Sequence, residues 1–177
     1  SSIVALVENQ KQEKFSAKII PKKLAKQTDM LKSINDEIKI LKSLDHPNII
    51  KIYESFEIRN DYKEEFIVII TEYCSNGDLL TFTINGNFEN KSTQIKIYKS
   101  FLSAIQYLHS KKIAHCDIKG ENILLDSNLN PKLCDFGFSQ TTIIQNDEFY
   151  KRGTIFYLAP ELCCPGKYNT LKADIYA

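Results

Sequence analysis

At 177 residues the chain is long enough to form one or two small folded units with a real core. Its 23 basic and 22 acidic residues leave a net charge of +1, which gives no electrostatic signature of a nucleic-acid or anionic-membrane partner. An apolar fraction of 43% is typical of a globular protein, and the longest apolar run, residues 66–70, is far too short to span a bilayer.

The five cysteines do not form a pattern typical of a disulfide framework or a zinc site. Their number is odd, and no pair has the C-x-x-C spacing. The sequence therefore predicts free thiols in a reducing compartment, the cytoplasm or the nucleus, at Cys74, Cys116, Cys134, Cys163 and Cys164.

Two β-branched segments open the chain, at residues 3–7 and 14–20, and the polar stretch between them predicts a hairpin. Alternation along the second strand places Ser16 and Lys18 on one face. A lysine in such a strand is often a solvated edge residue, so its role depends on what faces it.

Residues 28–44 predict an amphipathic helix whose apolar stripe contains Ile34, Leu41 and Leu44, and Pro47 follows as a stop signal. Glu37 falls inside this stripe. A buried carboxylate needs a partner, because an unpaired buried charge is very costly. The pattern leaves two interpretations open: Glu37 has a buried partner, or it lies at the solvated margin of the stripe.

Two further strands are predicted at residues 49–56 and 66–71, separated by a charged turn. The turn signal Asn76-Gly77-Asp78 then marks the passage from strand-rich to helix-rich sequence. We place the boundary between two units there. Asp78 is interpreted either as the N-cap of a helix that begins at Leu79 or as a group that binds a ligand.

A long amphipathic helix, capped by Ser92 or Thr93, precedes the most polar stretch of the chain. This stretch, residues 115–122, contains an imidazole, two acids, an ammonium and a carboxamide within eight residues. Because an apolar run follows directly, these groups are presented by a loop that is fixed at both ends, as a catalytic loop is. Asp117, Lys119 and Asn122 are its candidate functional residues.

Two short motifs complete the pattern. Asp135-Phe136-Gly137 begins 18 residues after Asp117, and Ala159-Pro160-Glu161 begins 24 residues after Asp135. With the strand lysine Lys18, they resemble the protein-kinase signature of lysine strand, catalytic loop, DFG and APE, in that order. The resemblance, to a eukaryotic-type protein kinase domain of the serine/threonine class, covers the whole chain.

The resemblance implies an α+β, two-lobed fold. Residues 1–74 would be a strand-rich small lobe with one main helix and the hinge, and residues 75–177 a helix-rich large lobe through the activation segment. The glycine-rich loop that should precede Ile3 is missing, and the large lobe stops at the start of its central helix. We therefore expect a kinase fold that is truncated at both ends and inactive as an isolated fragment.

The resemblance also implies ATP and Mg²⁺ as cofactors. Asp117 would accept or orient the proton of the substrate hydroxyl, and Lys119 would balance charge on the γ-phosphoryl group. Asn122 and Asp135 would hold Mg²⁺. Thr154, which would reach back to Asp117 and Lys119, favours a serine or threonine acceptor on a protein substrate.

The nucleotide-binding residues follow in the same way. Lys18 would pair with Glu37 and hold the α- and β-phosphates of ATP. The backbone groups of Glu72 and Cys74 would form hydrogen bonds with adenine. Thr71 would be the gatekeeper residue at the rear of the pocket. The walls of the adenine pocket would be formed by Ser16, by Leu124 as the floor and by Ile3 as the roof.

Three residues near the catalytic loop and the DFG motif are not interpreted as catalytic. Cys116 stands where many kinases have an arginine that clamps a phosphate on the activation loop, so we hypothesise activity that does not depend on phosphorylation near Tyr150. Cys134 is expected to be an inert buried thiol. His115 is interpreted as a packed residue, in contact with Phe136, Leu41 and Ile52, and not as a general base.

Two other functions are weighed against the kinase. A pseudokinase, acting as a nucleotide-binding or scaffolding module, is disfavoured because the lysine, the acids and the asparagine of the signature are all present. A hydrolase is disfavoured because no Gly-x-Ser-x-Gly motif exists. The expected partners are ATP and a protein substrate, without nucleic acid or membrane.

Overall fold

A four-stranded antiparallel sheet forms the first part of the chain. The computed structural model describes residues 2–27, 30–88, 90–141, 153–163 and 166–177, and the backbone of 144–147. An Asn9 side chain that accepts hydrogen bonds from the backbone N–H groups of Lys11 and Glu13 closes the first hairpin. The strand order is β1–β2–β4–β3, with β1 at Ile3–Glu8, β2 at Lys14–Pro21, β3 at Ile52–Arg59 and β4 at Glu65–Glu72.

Two helices pack against one face of this sheet, α1 at Lys22–Gln27 and α2 at Met30–Ser43. Their buried contact joins Ala25 and Ile34 of the helices to Ile20, Ile67 and Ile69 of the sheet. The sequence predicted a single helix over 28–44 and missed α1. Thr28, the predicted start, lies outside the described residues.

The strand predicted at 49–56 was wrong at both ends. Ile49 and Ile50 are apolar and β-branched, but they precede β3 and are buried against another part of the chain. The N–H of Ile50 donates to the Leu133 carbonyl at 2.9 Å. The apolar pattern therefore predicted the burial of Ile49 and Ile50 correctly, but it wrongly placed them in a strand.

The second part of the chain is mainly helical. Asp78 caps α3, since its Oδ1 accepts from the Thr81 N–H at 2.8 Å. The predicted cap of α4 was wrong: Asn90, and not Ser92 or Thr93, accepts the N–H of the first turn. The remaining elements are α3 at Leu79–Ile84, α4 at Lys91–Ser110, β5 at Ile123–Leu125, β6 at Pro131–Leu133, β7 at Ile144–Asp147, β8 at Gly166–Asn169 and α5 at Thr170–Tyr176.

A continuous apolar core connects the two parts. It runs from Leu41 of α2 through Phe136 to Leu108 of α4, and Leu133 of β6 is fully enclosed by it. Residues 115–122 lie between α4 and β5 and are held against this core. The chain is α+β, as predicted, while the division at residues 74 and 75 stays a prediction. Among the described residues, no helix has the length and apolar character needed to cross a bilayer.

Candidate active site

Strand β2 and helix α2 bring Lys18 and Glu37 together. The Lys18 Nζ lies 3.1 Å from Oε1 and 3.3 Å from Oε2 of Glu37. Glu37 is only 6% exposed, so it does not lie at a solvated margin. Burial raises the pKa of Glu37, and the charge on Lys18 offsets this only in part.

Lys18 also faces Asp135, with 4.0 Å between Nζ and Oδ1. Burial alone would lower the pKa of Lys18, but the charges on Glu37 and Asp135 outweigh it and raise the pKa. Lys18 is therefore a firmly protonated cation. The Asp135 side chain is 47% exposed, which leaves its oxygens accessible to a ligand.

A buried acid, Asp174, anchors the start of the loop at residues 115–122. Its two oxygens accept the backbone N–H groups of His115 and Cys116, each at 2.8 Å. Cys116 has a φ of 65°, a left-handed conformation that few residues other than glycine adopt. The sequence analysis missed this role of Asp174, because the contact spans about 60 residues.

Gly153 and Gln140 pack closely on the same loop. Gly153 has a φ of 99°, and a Cβ there would lie 2.6 Å from the Cys116 carbonyl oxygen. Only glycine fits such an approach. Gln140 Nε2 donates to Cys116 Sγ at 3.2 Å. Tyr150, named in the phosphorylation hypothesis, lies outside the described residues, so that hypothesis stays a prediction.

Asp117 receives three hydrogen bonds at its carboxylate. Thr154 Oγ1 donates to Oδ1 at 2.8 Å, and Asn122 Nδ2 donates to Oδ2 at 2.9 Å. The Lys119 Nζ lies 2.9 Å from Oδ2. Burial would raise the pKa of Asp117, but these donors together outweigh it and lower the pKa. Asp117 is therefore ionised at neutral pH.

Thr154 joins Asp117 to Lys119, as the sequence predicted. Its hydroxyl accepts a hydrogen bond from Lys119 Nζ at 2.8 Å while it donates to Asp117. The three side chains form a closed network, so the carboxylate and the ammonium are fixed relative to each other.

His115 is a packed residue. It is fully buried, and its ring meets that of Phe136 edge to face at 4.9 Å between centroids. Nδ1 accepts the Asp117 N–H, so Nε2 carries the proton and donates to the Cys134 carbonyl at 3.0 Å. Burial lowers the pKa of His115. The predicted contact with Phe136 is confirmed. Phe136 lies in one core with Leu41, and Ile52 packs against that core, while contacts of His115 itself with Leu41 and Ile52 stay predictions.

Asn122 links the loop to the Asp135 segment. Its backbone carbonyl accepts the Cys134 N–H at 2.9 Å. Its side-chain nitrogen donates to Asp117, so the amide oxygen is the atom of this side chain that is left to act as a ligand. Amide and carboxylate oxygens are ligands for a hard cation such as Mg²⁺. In the described residues no group of three or more His, Cys, Asp and Glu side chains that could hold a metal ion occurs.

The predicted hinge residues are also tied to the second part of the chain. The Glu72 carboxylate accepts the Lys51 N–H at 2.7 Å and lies 2.7 Å from Lys132 Nζ. Cys74 is buried, and burial raises its pKa to about 12. Burial likewise raises the pKa of Cys134 to about 12, which favours the thiol over the reactive thiolate. Cys134 is only partly buried, and its inertness stays a prediction. Leu124, half-buried in β5, forms a backbone bridge to Asp78.

The strand register does not support the predicted position of Ile3. Ile3 pairs with Ile19, whereas Val4 pairs with Lys18 and Leu6 pairs with Ser16. Directly paired residues share a face, so Ile3 lies on the face away from Lys18. Val4 takes the place on the Lys18 face and is 67% exposed. The sequence missed Val4 because Ile3 was chosen by family spacing and not by strand pairing.

Comparison with known proteins agrees with this geometry. The chain is 39% identical over 143 residues to the serine/threonine-protein kinase kin-29 of Caenorhabditis elegans and 38% identical over 143 residues to the serine/threonine-protein kinase RUNKEL of Arabidopsis thaliana. Each alignment covers 80% of this chain but only 16% and 10% of those proteins. The protein kinase domain model matches residues 1–177, which confirms the expected kinase-type α+β fold. The chain belongs to the protein kinase domain family.

Proposed function

We propose that this chain forms the catalytic core of a protein serine/threonine kinase, which transfers the γ-phosphoryl group of ATP to a protein hydroxyl. The observation that carries the proposal is the closed network of Asp117, Lys119 and Thr154, in which an ionised base and a cation are held side by side. Both relatives are named serine/threonine-protein kinases, which supports the serine/threonine class.

Phosphoryl transfer requires little covalent work from a protein, so positioning and charge neutralisation dominate. Asp117 would orient the acceptor hydroxyl and take its proton at the carboxylate. Lys119, already beside Asp117, would balance negative charge near the acceptor. ATP, when bound, supplies the transferable group, and Mg²⁺ neutralises its phosphates.

The cation would be held by Asn122 and Asp135. Their oxygens belong to segments that are joined by the Cys134 to Asn122 backbone hydrogen bond. Mg²⁺ keeps several waters and binds phosphate oxygens alongside one or two protein carboxylates. Two protein side chains are therefore sufficient for this site.

The nucleotide would lie against the Lys18 face of the sheet. Lys18, held by Glu37, would contact the α- and β-phosphates. Ser16 shares that face with Lys18, and Leu124 would lie below the adenine. The backbone of Glu72 and Cys74 would read the adenine edge, and Val4 replaces Ile3 as the candidate on the upper side.

We also propose an intracellular setting. The thiols of Cys74, Cys134 and Cys163 are not in disulfides, which is the usual state in a reducing compartment.

Radiolabel transfer by the full-length protein tests the proposal. With γ-labelled ATP, Mg²⁺ and a peptide library, we expect phosphoserine or phosphothreonine as the product. Asp117→Ala should bind nucleotide and lose most turnover, about 10²- to 10⁴-fold. Asp36→Ala is the matched control, because Asp36 is an exposed acid on α2 that pairs with Lys39.

Two outcomes would contradict the proposal. Nucleotide binding by the wild-type protein without any transfer would assign it to the pseudokinases. Turnover by Asp117→Ala at the wild-type rate would remove Asp117 from the reaction.

A further inference from the structure

Ser33 of α2 contacts the segment that carries Asp135. Its hydroxyl donates a hydrogen bond to the Gly137 carbonyl oxygen at 2.8 Å, across 104 residues of sequence. The contact is partly buried. It is a direct polar connection between helix α2 and the Asp135-Phe136-Gly137 motif.

Ser33 shares a helix face with Glu37. The two residues are four positions apart, so their side chains lie on successive turns of one face. Glu37 on one turn of α2 therefore binds Lys18, and Ser33 on the preceding turn binds the Gly137 carbonyl. A Cβ at Gly137 would lie 3.4 Å from Asp135 Oδ1 and 3.9 Å from Glu37 Oε2, so the Gly137 backbone lies close to both carboxylates.

The Asp135 backbone must be held in place by its neighbours. Its φ of 61° is a left-handed conformation that costs free energy for a residue other than glycine. Before it, the Cys134 N–H is bound by the Asn122 carbonyl at 2.9 Å. After it, Phe136 is buried against His115. Gly137 is intrinsically the freest of these residues, and Ser33 is the side chain that binds its carbonyl.

We propose that Ser33 is a positioning residue of the phosphoryl-transfer site, whose hydroxyl couples helix α2 to the backbone that directs Asp135 into the cleft. This inference rests on the proposed kinase function. Without the hydroxyl, the Lys18–Glu37 pair and the Asp135 turn each persist. They then move independently, and fewer molecules present Lys18 and Asp135 to the cleft at the same time.

A pair of nearly isosteric variants of the full-length protein isolates the hydroxyl. Ser33→Thr keeps the donor, and Ser33→Val removes it with almost the same shape. We expect Ser33→Val to lower kcat about 2- to 10-fold, the usual effect of one hydrogen bond, with an unchanged KM for the peptide substrate. Ser33→Thr should retain most of the wild-type kcat.

Ser43 provides the matched control on the same helix. Its hydroxyl also donates to a carbonyl, at 2.7 Å, but that carbonyl belongs to Ile40 of α2 itself. Ser43→Thr and Ser43→Val should therefore have equal kcat values, close to that of the wild type. A loss of kcat in Ser43→Val as large as that in Ser33→Val would overturn the proposal.

Amide hydrogen exchange gives a second measurement that does not depend on activity. The Ser139 N–H donates to the Phe136 carbonyl at 3.0 Å, so this amide reports on the order of the motif. We expect faster exchange at Ser139 in Ser33→Val than in Ser33→Thr. Equal exchange in both variants would refute the role of Ser33. If the wild-type protein transfers no phosphate, the proposed function fails, and this comparison still decides the role of Ser33.

Discussion

Glu37 and Asp117 are both buried carboxylates beside a lysine, yet their pKa values are shifted in opposite directions. Glu37 is 6% exposed and Asp117 is 5% exposed. Burial raises the pKa of Glu37 beyond what Lys18 can offset. Burial acts on Asp117 in the same sense, but hydrogen bonds from Lys119, Thr154 and Asn122 reverse the shift.

The difference shows that the number of donors, and not burial alone, sets the charge of each acid. Asp117 is surrounded by donors and keeps its charge through the fixed structure of its loop. Glu37 depends mainly on Lys18. This contrast suits the proposed roles: Glu37 holds the Lys18 ammonium in position, and Asp117 would interact with the acceptor hydroxyl.

Substitution of each lysine should give the largest difference between the two acids, measured as a loss in the free energy of unfolding. Lys18→Met leaves Glu37 buried without its cation, and we expect a loss of about 1–3 kcal/mol in the free energy of unfolding, since Lys18 is partly exposed. Lys119→Met leaves Asp117 with Thr154 and Asn122, so we expect a loss below about 1 kcal/mol. Urea unfolding measures both values.

Lys39→Met is the control for these variants, because Lys39 is a largely exposed lysine on α2 that pairs with Asp36. It should change the free energy of unfolding by less than about 0.5 kcal/mol. Equal losses in Lys18→Met and Lys119→Met would mean that the two acids depend on their lysines to the same degree.

Removing one donor from Asp117 should have a smaller effect. Thr154→Val deletes the hydroxyl that joins Asp117 to Lys119. We expect a decrease in kcat of about 2- to 10-fold, or roughly 0.5–1.5 kcal/mol. Thr154→Ser keeps the hydroxyl and should restore most of the activity. Identical kcat values for the Val and Ser variants would exclude the network as a contributor.

The titration of the two acids gives the finest test. Glu37 should titrate above its ordinary value of 4.5. The raised pKa of Glu37 therefore stabilises the folded state fully below about pH 4.5. This stabilisation is lost as the pH rises through the raised pKa. Asp117 should titrate below 3.8, so its contribution is present above that pH and is lost as the pH falls through the lowered pKa.

Carboxyl ¹³C NMR measures both titrations, and Glu37→Gln and Asp117→Asn assign the two signals. The comparison predicts shifts on opposite sides of the ordinary values. Shifts of Glu37 and Asp117 in the same direction would contradict it.

Where its signals were local, the sequence identified side chains that the structure brings together. Asp117, Lys119 and Asn122 fall within one short loop, and the position of Glu37 inside an apolar stripe made a buried partner one of its two interpretations. The motif order then supplied Lys18 and Asp135. These residues could be predicted because each has a sequence signal close to it in the chain.

The errors arose where tertiary contacts decide. Ile49 and Ile50 have the pattern of a strand, but both lie outside β3. Ile49 forms an isolated bridge with Leu133, and the Ile50 N–H donates to the Leu133 carbonyl. Ile3 was placed by spacing, while strand pairing puts Val4 on the Lys18 face. Ser33 and Asp174 act on partners that are distant in sequence, so no local pattern could reveal either contact. The Asn90 cap was a local signal that was overlooked.

The convergence of both regions on one nucleotide site can be measured directly with Mn²⁺–ATP, because Mn²⁺ accepts the same oxygen ligands as Mg²⁺ and broadens nearby NMR signals. We predict that the amide signals of Lys18, Asn122 and Asp135 broaden together. The signal of Tyr62, in the turn between β3 and β4, should stay sharp. Broadening at Lys18 without Asn122 and Asp135, or the reverse, would contradict a single site formed by both regions.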